Sequence, residues 1–159
     1  MVHEKSGRWG ELIFEVRDAG TGELVRRWSQ KNMLTHLSGR AFQRALQGIN
    51  PDVGIAYFAL GTGTAAPSRT DTALVNEQFR KQVTQQSTSR IGLDCMLTSV
   101  CSLSAGEANF TIREIGVFCG SGATGVANTG ELLSRVLVNF TKNSNQILNI
   151  YRVDHLVLE

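Results

Sequence analysis

The chain has 159 residues, 42% hydrophobic and 19% charged, the length of one ordinary domain with enough apolar content for a core that needs no staples. Sixteen basic residues against fourteen acidic ones leave a net charge of +2, too balanced for a dedicated nucleic-acid binder. No apolar run approaches the roughly 18–20 residues of a membrane span, and Met1 to Gly7 carry no signal-peptide core, so no membrane partner and cytoplasmic synthesis are expected.

Two short extended runs open the chain, Leu12 to Val16 and Glu23 to Trp28, around the Gly/Asp-rich stretch Asp18 to Gly22. Together they predict an N-terminal β-hairpin. Residues 1–30 are read as a hairpin arm protruding from a single domain of residues 1–159. Arg26 and Arg27, with Lys31 behind, form the densest basic cluster and read as a solvated strand edge. Thr35 to Gln47 predicts the one helix. Leu34, Leu37, Ala41, Ala45 and Phe42 form its apolar stripe, and Arg40, Gln43, Arg44 and Gln47 its polar side. Thr35 is the N-cap, Gly48 the stop, and Asn50, Pro51 and Asp52 the turn that follows.

Ile55 to Leu60 reads as a buried strand ending in the loop Gly61 to Pro67, and Thr70 to Glu77 as a short turn or helix capped by Asp71. Phe79 to Arg90 is polar and reads as one half-exposed strand. Ile91, Leu93, Cys95, Leu97 and Cys101 then alternate as one face of the next. After a turn at Ser104 to Glu107, Phe110 and Ile112 are followed by Ile115, Val117 and Cys119. The phase slips by one near Arg113 and Glu114, which predicts a β-bulge. Strands at Leu132 to Phe140 and Gln146 to Leu158 close the chain around a turn at Thr141 to Asn145. About seven or eight strands and one helix define a mainly β fold, a β-sandwich or jelly-roll-like domain.

The sequence offers little for chemistry. Gly120 to Gly125 (GSGATG) matches a dinucleotide fingerprint, but strand follows where the phosphate-binding helix is required, so it reads as a flexible β–β loop. Gly61 to Thr64 lacks the lysine of a P-loop. His3, His36 and His155 have no metal-ligand spacing, and His155 reads as a hydrogen-bonded structural residue or an interface contact. Cys95 and Cys101, six apart in one strand, would lie about 20 Å apart, beyond disulfide reach. Cys119 pairs with one of them only if a neighbouring strand brings it near, and three reduced, mostly buried thiols are expected. No GxSxG or cysteine-protease signature occurs; Asp94, Glu107, Glu114 and Asp154 read as turn, edge or bulge residues. No catalytic residue, cofactor, metal or small-molecule substrate is expected, and the chain is read as not an enzyme.

Leu60 to Leu74 (LGTGTAAPSRTDTAL), Gly106 to Phe118 (GEANFTIREIGVF), and Leu132 to Arg135 (LLSR) with Thr141 and Lys142 together resemble small structural proteins of tailed-bacteriophage virions. Phe14 to Glu23 and the helix with Gly39 and Arg40 are similar as well. The resemblance implies a tail, collar or fibre-associated protein of the virion, assembled in the host bacterial cytoplasm. Its partners would be other copies of itself, in ring-closing contacts, and neighbouring virion proteins. Candidate interface residues are Trp9, Phe14 and Trp28 of the hairpin, Arg40 and Arg44 of the helix, and Tyr151 and His155 of the last strand. The Gly120 to Gly130 loop and an open C-terminal strand edge are candidate contact elements. An interface hairpin predicts that deleting residues 1–30 leaves a folded domain that does not assemble. The alternatives are a capsid decoration protein, a carbohydrate- or host-surface-binding sandwich module and a small β-fold enzyme.

Overall fold

The computed structural model describes residues 7–48 and 53–157. The Asn50 to Asp52 turn, His3 and Leu158 fall outside them. In chain order the elements are β1 (Gly7–Asp18), β2 (Leu24–Lys31), β3 (Met33–Leu34), α1 (His36–Gln47), β4 (Ile55–Gly61) and β5 (Glu77–Gln82). They continue with β6 (Gln85–Ile91), β7 (Asp94–Leu103), β8 (Thr111–Cys119), β9 (Glu131–Thr141) and β10 (Gln146–Val157). Two five-stranded antiparallel sheets result, ordered β2-β1-β10-β7-β6 and β3-β9-β8-β4-β5. The pairing is nested: β1 joins β10, β3 joins β9 and β4 joins β8.

Alternation builds the sandwich. Leu12, Phe14 and Val16 of β1, Cys101 and Leu103 of β7, and Leu148 and Ile150 of β10 point inward from the first sheet. Phe58 and Leu60 of β4, Ile112, Ile115 and Val117 of β8, and Val136 of β9 meet them from the second. The mainly β sandwich with a single helix matches the expectation from sequence.

The slip near Arg113 is real. The β8–β9 register shifts between Ile112 and Glu114, so Ile112 and Ile115 both reach the core although they are an odd number of positions, three, apart. A second shift between Val117 and Phe118 leaves Leu133 unpaired. Leu133 then turns with Cys119 toward Ala41 of α1, while Leu132 joins Leu74 and Phe118 in a second cluster.

Several expectations change. The hairpin is no protruding arm: β1 lies inside a sheet, its Phe14 wholly buried. Phe79 to Arg90 is two strands in different sheets. Val83 N–H donates to Ala56 O of one sheet and Thr84 N–H to Val100 O of the other, so the chain crosses in one step. Ile91 and Leu93 flank a turn at Gly92, whose φ of +59° suits glycine, and are exposed. Thr70 to Asn76 is irregular loop, Glu77 already opens β5, and Asp71 caps no helix. Helix α1 starts after Thr35 and stops at a left-handed Gly48, as its sequence predicts. Its buried face, however, runs through Ser38 and Ala41, leaving Phe42 and Ala45 exposed. The Thr35 hydroxyl donates to Leu132 O at 2.5 Å and ties the helix start to β9.

Candidate functional site

Three of the segments that carry the virion-protein resemblance, Leu60 to Leu74, Gly106 to Phe118 and Leu132 to Arg135, converge on one site. Glu114 stands in the bulged stretch of β8, fully buried. Its Oε1 accepts from the backbone N–H groups of Gly63 (3.0 Å) and Asn76 (2.7 Å). Its Oε2 accepts from Val75 N–H (3.0 Å) and from Arg135 Nε (2.8 Å). Arg135 then reaches over the loop: Nη2 donates to Ala65 O at 2.8 Å and Nη1 to Asp71 Oδ2 at 3.0 Å. Asp71 Oδ2 also accepts from Ser68 N–H at 2.9 Å. The long β4–β5 loop, residues 62–76, is thereby pinned across the outer face of its sheet. Burial pushes the Glu114 carboxyl up, but the hydrogen bonds from Asn76, Val75 and Arg135 outweigh it and hold the group below the usual carboxylate range.

Small residues make room for this clamp. A side chain at Gly63 would collide with the Glu114 carboxylate, and one at Gly116 with Leu74 and, at 2.9 Å, Leu132.

Three further networks continue the pattern. Arg80 donates to Glu77 at 2.5 and 2.9 Å, packs over the Phe118 ring at 4.6 Å, and reaches Thr124 O and Thr129 O. Asn128 N–H donates to Glu77, and Asn128 Oδ1 accepts from Leu74 N–H. The Gly120 to Gly130 loop joins two strands as predicted, but these bonds pin it. Lys142, buried between two turns, donates to Ala105 O at 3.3 Å and Asn109 Oδ1 at 3.0 Å, and burial lowers its pKa. In the first sheet, Arg152 makes a double bond pair with Asp154 at 2.7 and 2.8 Å and donates to Ser134 at 2.5 Å.

The predicted interface residues scatter. Phe14 is core, and Trp28 stacks on it at 4.8 Å. Trp9, 36% exposed, lies flat on His155 at 3.7 Å. His155 is buried and its Nδ1 lies 2.7 Å from Asp94 Oδ2, the structural role read from its sequence. Tyr151 O–H donates to Glu15, and its pKa is raised by burial and by that carboxylate. Arg44 pairs with Glu131 at 2.9 Å, while Arg40 is exposed. The C-terminal strand is paired on both sides by β1 and β7 and has no open edge. Of the predicted residues, two separate pairs come together, Phe14 with Trp28 and Trp9 with His155.

Sequence reasoning passed over Glu114, Arg135, Asp71, Arg80 and Arg152 as functional residues. The available signal was an acid and two arginines inside otherwise apolar strands, which implies buried ion pairs. Among the described residues no group of His, Cys, Asp and Glu is placed to hold a metal ion. None of the three cysteines is in a disulfide, and burial pushes the Cys101 thiol up to about 12, which keeps it protonated. An open groove of about 630 Å³ runs between Phe42 of α1 and Leu97 and Leu156; Asp154, also on its wall, is already bonded to Arg152.

The fold and the clamp define a β-sandwich domain whose signature residues fasten its own loops. The chain belongs to the family of the phage tail-collar fibre protein, N-terminal, which matches residues 30–150. It is therefore a phage tail, collar or fibre protein, and the family implies a place in the virion among other virion proteins. Comparison with curated proteins and with solved structures gave no match.

Proposed function

We propose that this chain is a structural, non-enzymatic component of the tail, collar or fibre attachment, working by symmetric self-assembly and by docking onto neighbouring virion proteins. The observation that carries the reading is the family match over residues 30–150; Leu60 to Leu74, Gly106 to Phe118 and Leu132 to Arg135, which resemble virion proteins, meet in the Glu114–Arg135 clamp. A clamp of this kind supports a role in geometry: its carboxylate is saturated by four donors and is turned to the protein's own backbone. The chain is proposed to assemble in the host bacterial cytoplasm as one domain, and to use neither nucleic acid, membrane nor small-molecule substrate. Of the predicted contact residues, the exposed Trp9 and Arg40 are the ones with surface to offer a partner.

The test is a phage lacking this gene. The expected result is particles without the collar or fibre structure, restored by the protein supplied in trans, with antibody labelling at the tail. Complete, infectious particles lacking the protein would refute the reading.

A further inference from the structure

The sandwich has four free strand edges among the described residues: β2, β6, β3 and β5. An open edge presents unpaired backbone donors and acceptors, and monomers guard it with charges, bulges or brevity. β2 carries Arg26, Arg27 and Lys31. β3 is two residues long. β5 carries Lys81, and its pairing with β4 shifts register between Leu60 and Gly61. β6 is guarded least: it has no bulge, and its one charge is Arg90. Its seven residues, QQSTSRI, are all exposed, contain no proline or acid, and pair with β7 without a shift.

The β6 sequence is also compatible with itself. Antiparallel pairing of all seven residues with a second copy requires a two-fold axis at Thr88. Thr88 then faces Thr88 of the other copy, Ser87 faces Ser89, Gln86 faces Arg90 and Gln85 faces Ile91. No like charges stand opposite one another, and each Arg90 meets an amide. The same operation brings the apolar turn of one copy, Ile91 and Leu93 at 74% and 60% exposure, past Gln85 of the other. There lies a groove of about 470 Å³ lined by Ile55, Ala56 and Val83 and by the polar Gln82, Thr84, Gln85 and Gln86. The turn of one copy is thus set against a mixed polar and apolar groove of the other.

We propose that β6 is a self-association edge, joining two copies of this chain antiparallel about Thr88 into one continuous ten-stranded sheet. This rests on the reading of the protein as one that assembles in multiple copies. A seven-residue edge is about 24 Å long and covers less than the roughly 800 Å² per partner of a standard interface. The free dimer is therefore weak and forms at high local concentration.

The experiment uses the whole chain at about 0.1–1 mM, the range for a weak pair, by sedimentation equilibrium. Thr88→Lys sets two ammonium groups face to face and is expected to weaken the dimer at least about tenfold, with thermal stability unchanged because Thr88 is exposed. Thr88→Cys is expected to form a self-disulfide under mild oxidation, above the background of the unsubstituted chain. Ser87→Cys and Ser89→Cys are expected to cross-link when mixed and not singly. Association unaffected by Thr88→Lys overturns the edge proposal and leaves multi-copy assembly standing. A strict monomer at the highest concentration overturns the edge and self-assembly together, while docking to other virion proteins is decided by the particle experiment.

Discussion

Replacing Glu114 by glutamine keeps shape and volume but removes the charge on which the loop clamp turns. The carboxylate accepts four hydrogen bonds, two on each oxygen. A carboxamide offers one oxygen, so its NH₂ group must face either the Gly63 and Asn76 amides or the Val75 amide with Arg135. Two donors are orphaned in a buried site, at about 1–3 kcal/mol each. Arg135, its side chain 2% exposed, loses the buried one of its two counter-charges and keeps Asp71. Breaking one side of a buried pair costs about 3–5 kcal/mol, and the two figures describe the same loss. For a chain of this size that lowers Tm by roughly 6–20 °C, at about 2–4 °C per kcal/mol. Urea unfolding measures the total, and hydrogen exchange at Gly63, Val75 and Asn76 measures the loop itself. A change below about 1 kcal/mol with those three amides still protected would refute the clamp as the element that holds residues 62–76.

The pH dependence follows from the same group. Because the folded-state pKa of Glu114 lies below its ordinary 4.5, its contribution is whole above that pH and is lost as pH falls through the folded value. Glu107, lowered by Lys81 and by the Ser104 amide, acts in the same direction. Stability should therefore fall below about pH 4.5, less steeply in Glu114→Gln; an unchanged acid slope would contradict the assignment. Gly116→Ala drives a methyl into Leu74 and should cost about 1–3 kcal/mol, partly recovered on adding Leu74→Ala; denaturant midpoints decide it. Phe14→Ala should cost about 3–5 kcal/mol, and a chain lacking residues 1–30 should lose its cooperative unfolding transition. A folded truncated domain would restore the hairpin to the status of an arm.

How much was legible in the sequence depends on what each residue reports. Alternating apolar residues in β7, β8 and β9 give the sandwich, and the three-residue step from Ile112 to Ile115 gives the bulge, because each side chain there is forced to choose a face. In Gln82 to Ser89 no side chain has such a preference, so nothing local marks the crossing between sheets at Val83 and Thr84. The helix is placed correctly by Thr35 and Gly48, but Ser38 is buried under β9 while Phe42 is left out, a result of tertiary contact. The clamp's residues stand in separate motifs and nothing local joins them into a site, since Asp71, Glu114 and Arg135 lie 21 to 64 residues apart. Charges read as solvated until a neighbouring strand is known to cover them.

The pairing of the first strand with the last has a mechanical meaning. Gly7 stands opposite Val157 and Asp18 opposite Gln146, twelve residue pairs in all. Anything joined to the chain before Gly7 therefore leaves beside anything joined after Val157. A pull that separates those two points opens the ladder as a zipper, one rung at a time and at low force. A pull on the Val157 end alone, resisted by a partner gripping β6, instead passes crosswise through β10 and β7, whose ten paired positions must yield together. The same domain is thus weak or strong according to where its load enters.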